Sequence, residues 1–77
     1  MYIADATNHR IQFWLNGASS GTTVVGTGSR GSSATQLDMP SDVFVDSKKN
    51  IFVADRNNYR IHFFANGTTT GVTVTTG

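Results

Sequence analysis

The sequence predicts an all-β protein built from four-stranded antiparallel sheets stacked face to face, and three observations predict it. First, residues 2–27 and 52–77 are two copies of one pattern. Ala4-Asp5 returns as Ala54-Asp55, Arg10-Ile11 as Arg60-Ile61, Phe13 as Phe63 and Asn16-Gly17 as Asn66-Gly67, an offset of 50 (55 − 5). A fixed period of this length marks a repeat architecture. Second, 7 Ser, 11 Thr and 8 Gly with one Pro favour short strands and tight turns over helix. Third, Val43-Phe44-Val45 and Ile51-Phe52-Val53-Ala54 are apolar on consecutive residues, which reads as strands covered on both faces. The links between them are too short for helical crossovers, so the strands pair antiparallel.

The elements follow in order. Gly28 to Leu37 is a Gly/Ser/Thr-rich loop with no hydrophobic period. Pro40 ends it at the start of a strand, whose apolar part is Val43–Val45. Asp46 to Asn50 is a polar turn, and Ile51–Ala54 is the second strand. Asp55 to Asn58 is a turn rich in Asn and Asp, Tyr59–Ala65 the third strand, and Asn66-Gly67 opens the next turn. Val72–Thr76 is the fourth strand. The first copy repeats the last three strands near Tyr2–Ala4, His9–Leu15 and Thr22–Gly26, which gives seven strands in all and no helix longer than one turn. Residues 1–27 then form a partial blade of three strands, and residues 28–77 a complete blade preceded by its interblade loop. Four-stranded sheets repeated in tandem and packed radially make a β-propeller, here with an incomplete ring in one chain. Met1 leads directly into repeat sequence, as an excised fragment would.

Gln36-Leu37-x-x-Pro40-x-x-Val43-x-Val45-Asp46, followed by Ile51-x-Val53-Ala54-Asp55-x-x-Asn58-x-Arg60-Ile61, resembles the NHL-repeat β-propeller blade. Asn8-His9-Arg10-Ile11 carries the same motif in the first copy. The resemblance implies six-bladed rings of about 300 residues in most relatives, some of which bind RNA or protein on one face of the ring. It also implies that metal-dependent lyases and lactonases exist among similar propellers, with ligands drawn from several blades.

Composition narrows the function. A net charge of +1 over 77 residues argues against nucleic acid or an anionic membrane as partner. No apolar run reaches membrane-spanning length. There is no cysteine, hence no disulfide scaffold and no Cys-based zinc site. The Ser/Thr content and the lack of cysteine favour an extracellular setting.

Asp5…Arg10 and Asp55…Arg60 keep one separation across equivalent turns. They read as a structural turn lock: the short carboxylate side chain hydrogen-bonds the turn and the arginine closes an ion pair. His9 and Tyr59 are candidate rim contacts for a ligand. Gly26-Thr27-Gly28-Ser29-Arg30-Gly31 matches G-x-G-x-x-G, but Ser32-Ser33-Ala34-Thr35 and Pro40 follow it where a dinucleotide site needs a helix. His9 and His62 stand alone, with no paired metal-ligand spacing. No serine sits in a nucleophile-elbow pattern. Catalytic residues, metal ligands and cofactors are therefore not expected. Asn66-Gly67-Thr68 is an N-glycosylation acceptor sequence, whereas Asn16-Gly17-Ala18 is not.

The function expected is a non-enzymatic repeat module for scaffolding or for protein or glycan interaction. Its partners are copies of itself or the remaining blades of a longer parent chain. Two other readings stand beside it: an engineered or excised fragment that self-assembles into a closed ring, and an RNA-binding propeller.

Overall fold

The computed structural model describes residues 1–15, 17 and 21–76. Two antiparallel sheets make up the fold. The first has the order β1 (Tyr2–Asp5), β2 (Arg10–Phe13), β3 (Thr22–Gly26). The second runs β4 (Pro40–Val45), β5 (Ile51–Asp55), β6 (Arg60–Phe64), β7 (Val72–Thr76). The all-β expectation of seven strands holds among the described residues, and the remaining regular structure is two single 3₁₀ turns, Ala6–Asn8 and Arg56–Asn58. The Asn16-Gly17 turn lies at the edge of the description, because Asn16 and residues 18–20 fall outside the described residues.

Strand ends differ from the sequence reading by a residue or so, for a physical reason. His9 and Tyr59 were expected to begin strands. Both instead close the 3₁₀ turns in the left-handed region, at φ 54° and 51°. Each backbone N–H donates to a carbonyl three residues back, His9 to Ala6 at 3.0 Å and Tyr59 to Arg56 at 3.1 Å. The ladder therefore starts one residue later, with Arg10 opposite Asp5 and Arg60 opposite Asp55. The β4–β5 turn is held by Asp46, whose Oδ1 accepts from the backbone N–H groups of Lys48 and Asn50, both at 2.9 Å. These bonds, the Asn50 N–H first, hold the Asp46 carboxyl below its ordinary pKa against the opposing effect of desolvation.

Register sorts the consecutive apolar residues onto two faces of each sheet. In the second sheet Val43, Val53 and His62 stand in one row, and Val45, Ile51 and Phe64 in the next. This face looks into the molecule. On the opposite face Phe44, Phe52 and Phe63 form one row, and Asp42, Ala54 and Ile61 the next. In the first sheet the corresponding outward-type row is Tyr2 with Phe13 and Ala4 with Ile11. Here, however, that face is covered, because it packs against the inner face of the second sheet. The core is this seam: Ile11, Val25, Leu37, Ile51, Val53 and Phe64 are buried, with Tyr2, Ala4, Val43 and Val45 packed around them. A fully buried aliphatic or aromatic side chain contributes about 1.5–3 kcal/mol, so the seam carries much of the fold's stability.

Gly26 marks a close approach in the first sheet. It has φ +92°, and a Cβ built on it would stand 2.6 Å from the carbonyl oxygen of His9. Gly26→Ala is therefore expected to destabilise the chain by roughly 1–3 kcal/mol. Urea denaturation measures this, and an unchanged midpoint would contradict the contact.

Candidate functional site

Two features stand out: a polar cradle repeated in each sheet, and the uncovered apolar face of the second sheet. The cradle is built at the β5–β6 corner. Asp55 ends β5, the 3₁₀ turn brings Asn58 back over it, and Arg60 opens β6 opposite Asp55. The Asp55 side chain does not cap the turn's own backbone. Its Oδ2 accepts instead from Arg60 Nε at 2.7 Å and from Asn58 Nδ2 at 2.8 Å, and its Oδ1 from the backbone N–H of Asp38 at 2.7 Å. The predicted lock is thus a side-chain pair that grips a neighbouring segment, in place of a cap on its own turn. All three bonds are charge-assisted because the acceptor is an ionised carboxylate, and such bonds are about twice as strong as neutral ones.

The gripped segment is the loop that the sequence shows as featureless. Arg60 donates to the carbonyls of Ser32, Ser33 and Gln36 at 3.1, 3.2 and 2.7 Å. Asn58 Nδ2 donates to the carbonyl of Gly31 at 2.8 Å. The carbonyl of Ala34 accepts from the Gly71 N–H at 2.8 Å and lies 3.0 Å from His62 Nε2. Asn57 completes the set, its backbone N–H and side-chain amide donating to the Asp38 carbonyl and carboxylate. So anchored, the loop inserts Leu37 into the seam, where it is fully buried. Sequence reasoning placed Leu37 at the end of a loop and missed this role, since backbone carbonyls as ligands leave no residue signature.

His62 is, with Asp55, a buried member of the cradle, at 1% exposure, with its ring edge-on to Phe64 at 5.0 Å. A hydrogen bond from Nε2 to the Ala34 carbonyl leaves Nδ1 as acceptor for the Thr73 hydroxyl at 3.3 Å. Burial pushes the ring's pKa below its ordinary value, against the opposing pull of the Ala34 carbonyl. A depressed folded-state pKa means that the unfolded chain takes up the proton first. The stability that His62 contributes is therefore complete above the unfolded value of about 6.5 and falls as pH drops below it. Thermal melts between pH 7.5 and 5 should show a loss that His62→Gln reduces; an equal loss in the variant would exclude His62 as its source.

The first sheet repeats the Asp–Asn–Arg geometry, and among the described residues no loop carbonyl is bound in it. Asp5 Oδ2 accepts from Arg10 Nε at 2.9 Å and from Asn8 Nδ2 at 3.1 Å. The bond from Arg10, then that from Asn8, draws the Asp5 carboxyl below its ordinary pKa. Asp5 and Arg10 retain 25% and 32% of their side-chain exposure, against 0% and 8% for Asp55 and Arg60. The two locks are therefore alike in geometry and unlike in environment.

The candidate rim residues part company. Tyr59 is exposed on the surface. His9 is half-buried at the seam, where its Nδ1 accepts from the Met39 N–H at 3.0 Å and lies 3.8 Å from the Asp38 carboxylate. His9 thus ties the first sheet's turn to the entry of β4. Asn66 is exposed in a turn closed by the Thr68 N–H to the Ala65 carbonyl at 3.0 Å, with Gly67 at φ +83°. Among the described residues no group of three or more His, Cys, Asp or Glu is placed to hold a metal ion.

The uncovered face is shallow and apolar. Phe44 is 71% exposed, and the rings of Phe52 and Phe63 meet at a tilt of 55° with centroids 4.9 Å apart. Phe44 and Phe52, with Asp42, Val43, Ala54 and Ile61, line an open groove of about 180 Å³.

Two antiparallel sheets packed face to face, one of four strands, with a tethered loop carrying the chain from one to the next, are neighbouring blades of a propeller-type repeat. The family model of the NHL repeat matches residues 37–64, from the buried Leu37 to the buried Phe64. Residues 37–64 thus match an NHL repeat, and the two antiparallel sheets are consistent with partial blades of a propeller of that type. Comparison with curated proteins finds no match.

Proposed function

We propose that this chain is a non-enzymatic interaction module that works by stacking its blades against further blades. One observation carries the reading. The half-buried row Phe52, Ala54, Ile61 and Phe63, beside the exposed Phe44, is the 50-residue repeat of Tyr2, Ala4, Ile11 and Phe13. Within the chain, Tyr2, Ala4 and Ile11 of that earlier row cover the inner face of the second blade. A surface that makes a core at one blade and meets water at the next is half of an interface. Its other half has the character of a blade's inner face. Because the two ends of the pair differ, the association is head-to-tail, and it closes a ring when the rotation permits.

The partner is a second copy of the chain or the neighbouring blade of a longer one. Light scattering on purified chain at micromolar concentration tests the first. A discrete mass above that of one chain supports self-association. A folded, soluble monomer with cooperative unfolding would end it and leave blades supplied by a longer chain.

A further inference from the structure

The chain holds six asparagines, and Asn66 is held differently from Asn8, Asn50, Asn57 and Asn58. Asn8 Nδ2 donates to the Asp5 carboxylate at 3.1 Å, Asn50 Nδ2 to that of Asp46 at 3.1 Å and Asn57 Nδ2 to that of Asp38 at 3.2 Å. Asn58 Nδ2 donates at 2.8 Å to both Asp55 and the Gly31 carbonyl. The backbone N–H groups of His9 and Tyr59, which follow Asn8 and Asn58, are themselves donated to carbonyls. Asn66 is bound through its own N–H, which donates to Asn50 Oδ1 at 3.0 Å. Among the described residues, neither its side-chain amide nor the Gly67 N–H makes a hydrogen bond. Exposure does not draw this distinction, since Asn8 and Asn57 are exposed as Asn66 is.

The residue that follows removes the remaining obstacle. The Thr68 N–H closes the turn on the Ala65 carbonyl at 3.0 Å, with Gly67 at φ +83° in the place where such a turn requires positive φ. A Cβ built on Gly67 would meet no atom within 4 Å, and glycine carries no Cβ of its own. The Gly67 nitrogen, in the peptide bond that follows the Asn66 side chain, is therefore unshielded.

We propose that Asn66 is a site of spontaneous succinimide formation in the folded protein, with water as the co-reactant. The Gly67 nitrogen gives up its proton to hydroxide and attacks Asn66 Cγ. The N–Cγ bond forms, the Cγ–Nδ2 bond breaks, and Nδ2 takes up a proton and leaves as ammonia. Water then opens the ring. Addition at Cγ gives aspartate, and addition at the main-chain carbonyl carbon gives isoaspartate, whose main chain runs through the side chain and is longer by a methylene. Nothing is oxidised or reduced. In the isoaspartyl form the Ala65–Thr68 closure and the Asn66–Asn50 bond no longer fit the longer path, so the β6–β7 turn comes free of the β4–β5 turn. The site is independent of blade stacking, because Asn66 and Gly67 belong to neither the seam nor the groove.

Trypsin separates Asn66, alone in peptide 61–77, from Asn8 in 1–10, Asn50 in 50–56 and the pair Asn57 and Asn58 in 57–60. The full chain is held at body temperature and mildly alkaline pH, with circular dichroism following its fold, and is mapped by mass spectrometry over time. Synthetic peptide 61–77 is incubated in parallel. Asn66 is expected to convert in the folded chain at a rate close to that in the free peptide, giving aspartate and isoaspartate, while the other three peptides keep their amides. The conversion should quicken as pH rises, because the attacking nitrogen must lose its proton, and Asn66→Gln should remove it. An Asn66 that stays intact while the free peptide converts would overturn the proposal, as would equal conversion in peptide 50–56 or 57–60. Hydrogen exchange on the purified isoaspartyl form reads the consequence: protection of the Thr68 N–H should be lost. Protection equal to that of the unmodified chain would overturn the structural half of the proposal.

Discussion

Asp55→Ala is expected to destabilise the chain by about 3–5 kcal/mol, whereas Asp5→Ala, the same change in the other repeat, should cost no more than about 1 kcal/mol. The difference lies in what each carboxylate leaves behind. Removing Asp55 strands a guanidinium that is 8% exposed and deprives the Asp38 N–H of its acceptor. The carbonyls of Ser32, Ser33 and Gln36 still face Arg60 and hold the loss toward the lower figure. Removing Asp5 leaves Arg10 in partial contact with water, which screens it. A chain of 77 residues has a total stability of roughly 4–12 kcal/mol, so Asp55→Ala brings it near the folding threshold and Asp5→Ala does not. Asp55→Asn, which keeps one of the two acceptor oxygens and drops the charge, should fall between. Urea denaturation of the three variants decides the matter: equal losses at positions 5 and 55 would show that the loop-gripping role of Asp55 adds nothing to the ion pair.

The second large effect is expected at the opposite face. Phe52→Asp and Ile61→Asp each place a carboxylate in the middle of the apolar groove. If this face is buried in an assembly, the uncompensated charge and the lost apolar contact together cost at least about 3 kcal/mol, a more than hundredfold loss of association. The fold within one chain should be little affected, because neither residue belongs to the buried seam. Val53→Asp, one residue from Phe52 on the other side of the same strand, should do the reverse and unfold the chain, since Val53 is fully buried. Light scattering and circular dichroism read the two outcomes separately. Association that survives both groove variants would show that the blades do not meet through this face.

The strands, their antiparallel order and the turns between them were legible because each rests on local chemistry. Asp46 and Asn50 write a turn whatever surrounds them, and Pro40 opens a strand where its absent N–H is harmless. The 50-residue repeat carried the blade unit in the same way. Which of the apolar residues lie in the core could not be read locally. Ile51, Phe52 and Val53 are apolar in succession, so the period-2 signal that normally separates inside from outside is silent. Only the packing of one sheet on the other makes Ile51 and Val53 core and Phe52 surface.

The cradle divides along the same line. Asp and Arg recurring at one spacing announced a pair, because both partners are named in the sequence. Their third partner, the loop from Gly31 to Asp38, is bound mainly through its main-chain atoms. Every residue has such atoms, so no composition betrays the contact. The sequence by itself determined the blade: its strands, its turns and its charged pair. The tertiary structure decided that one copy of the pair is buried around a loop while the other stays half-open to water, because the main chain of residues 32–38 closes over Asp55 and Arg60.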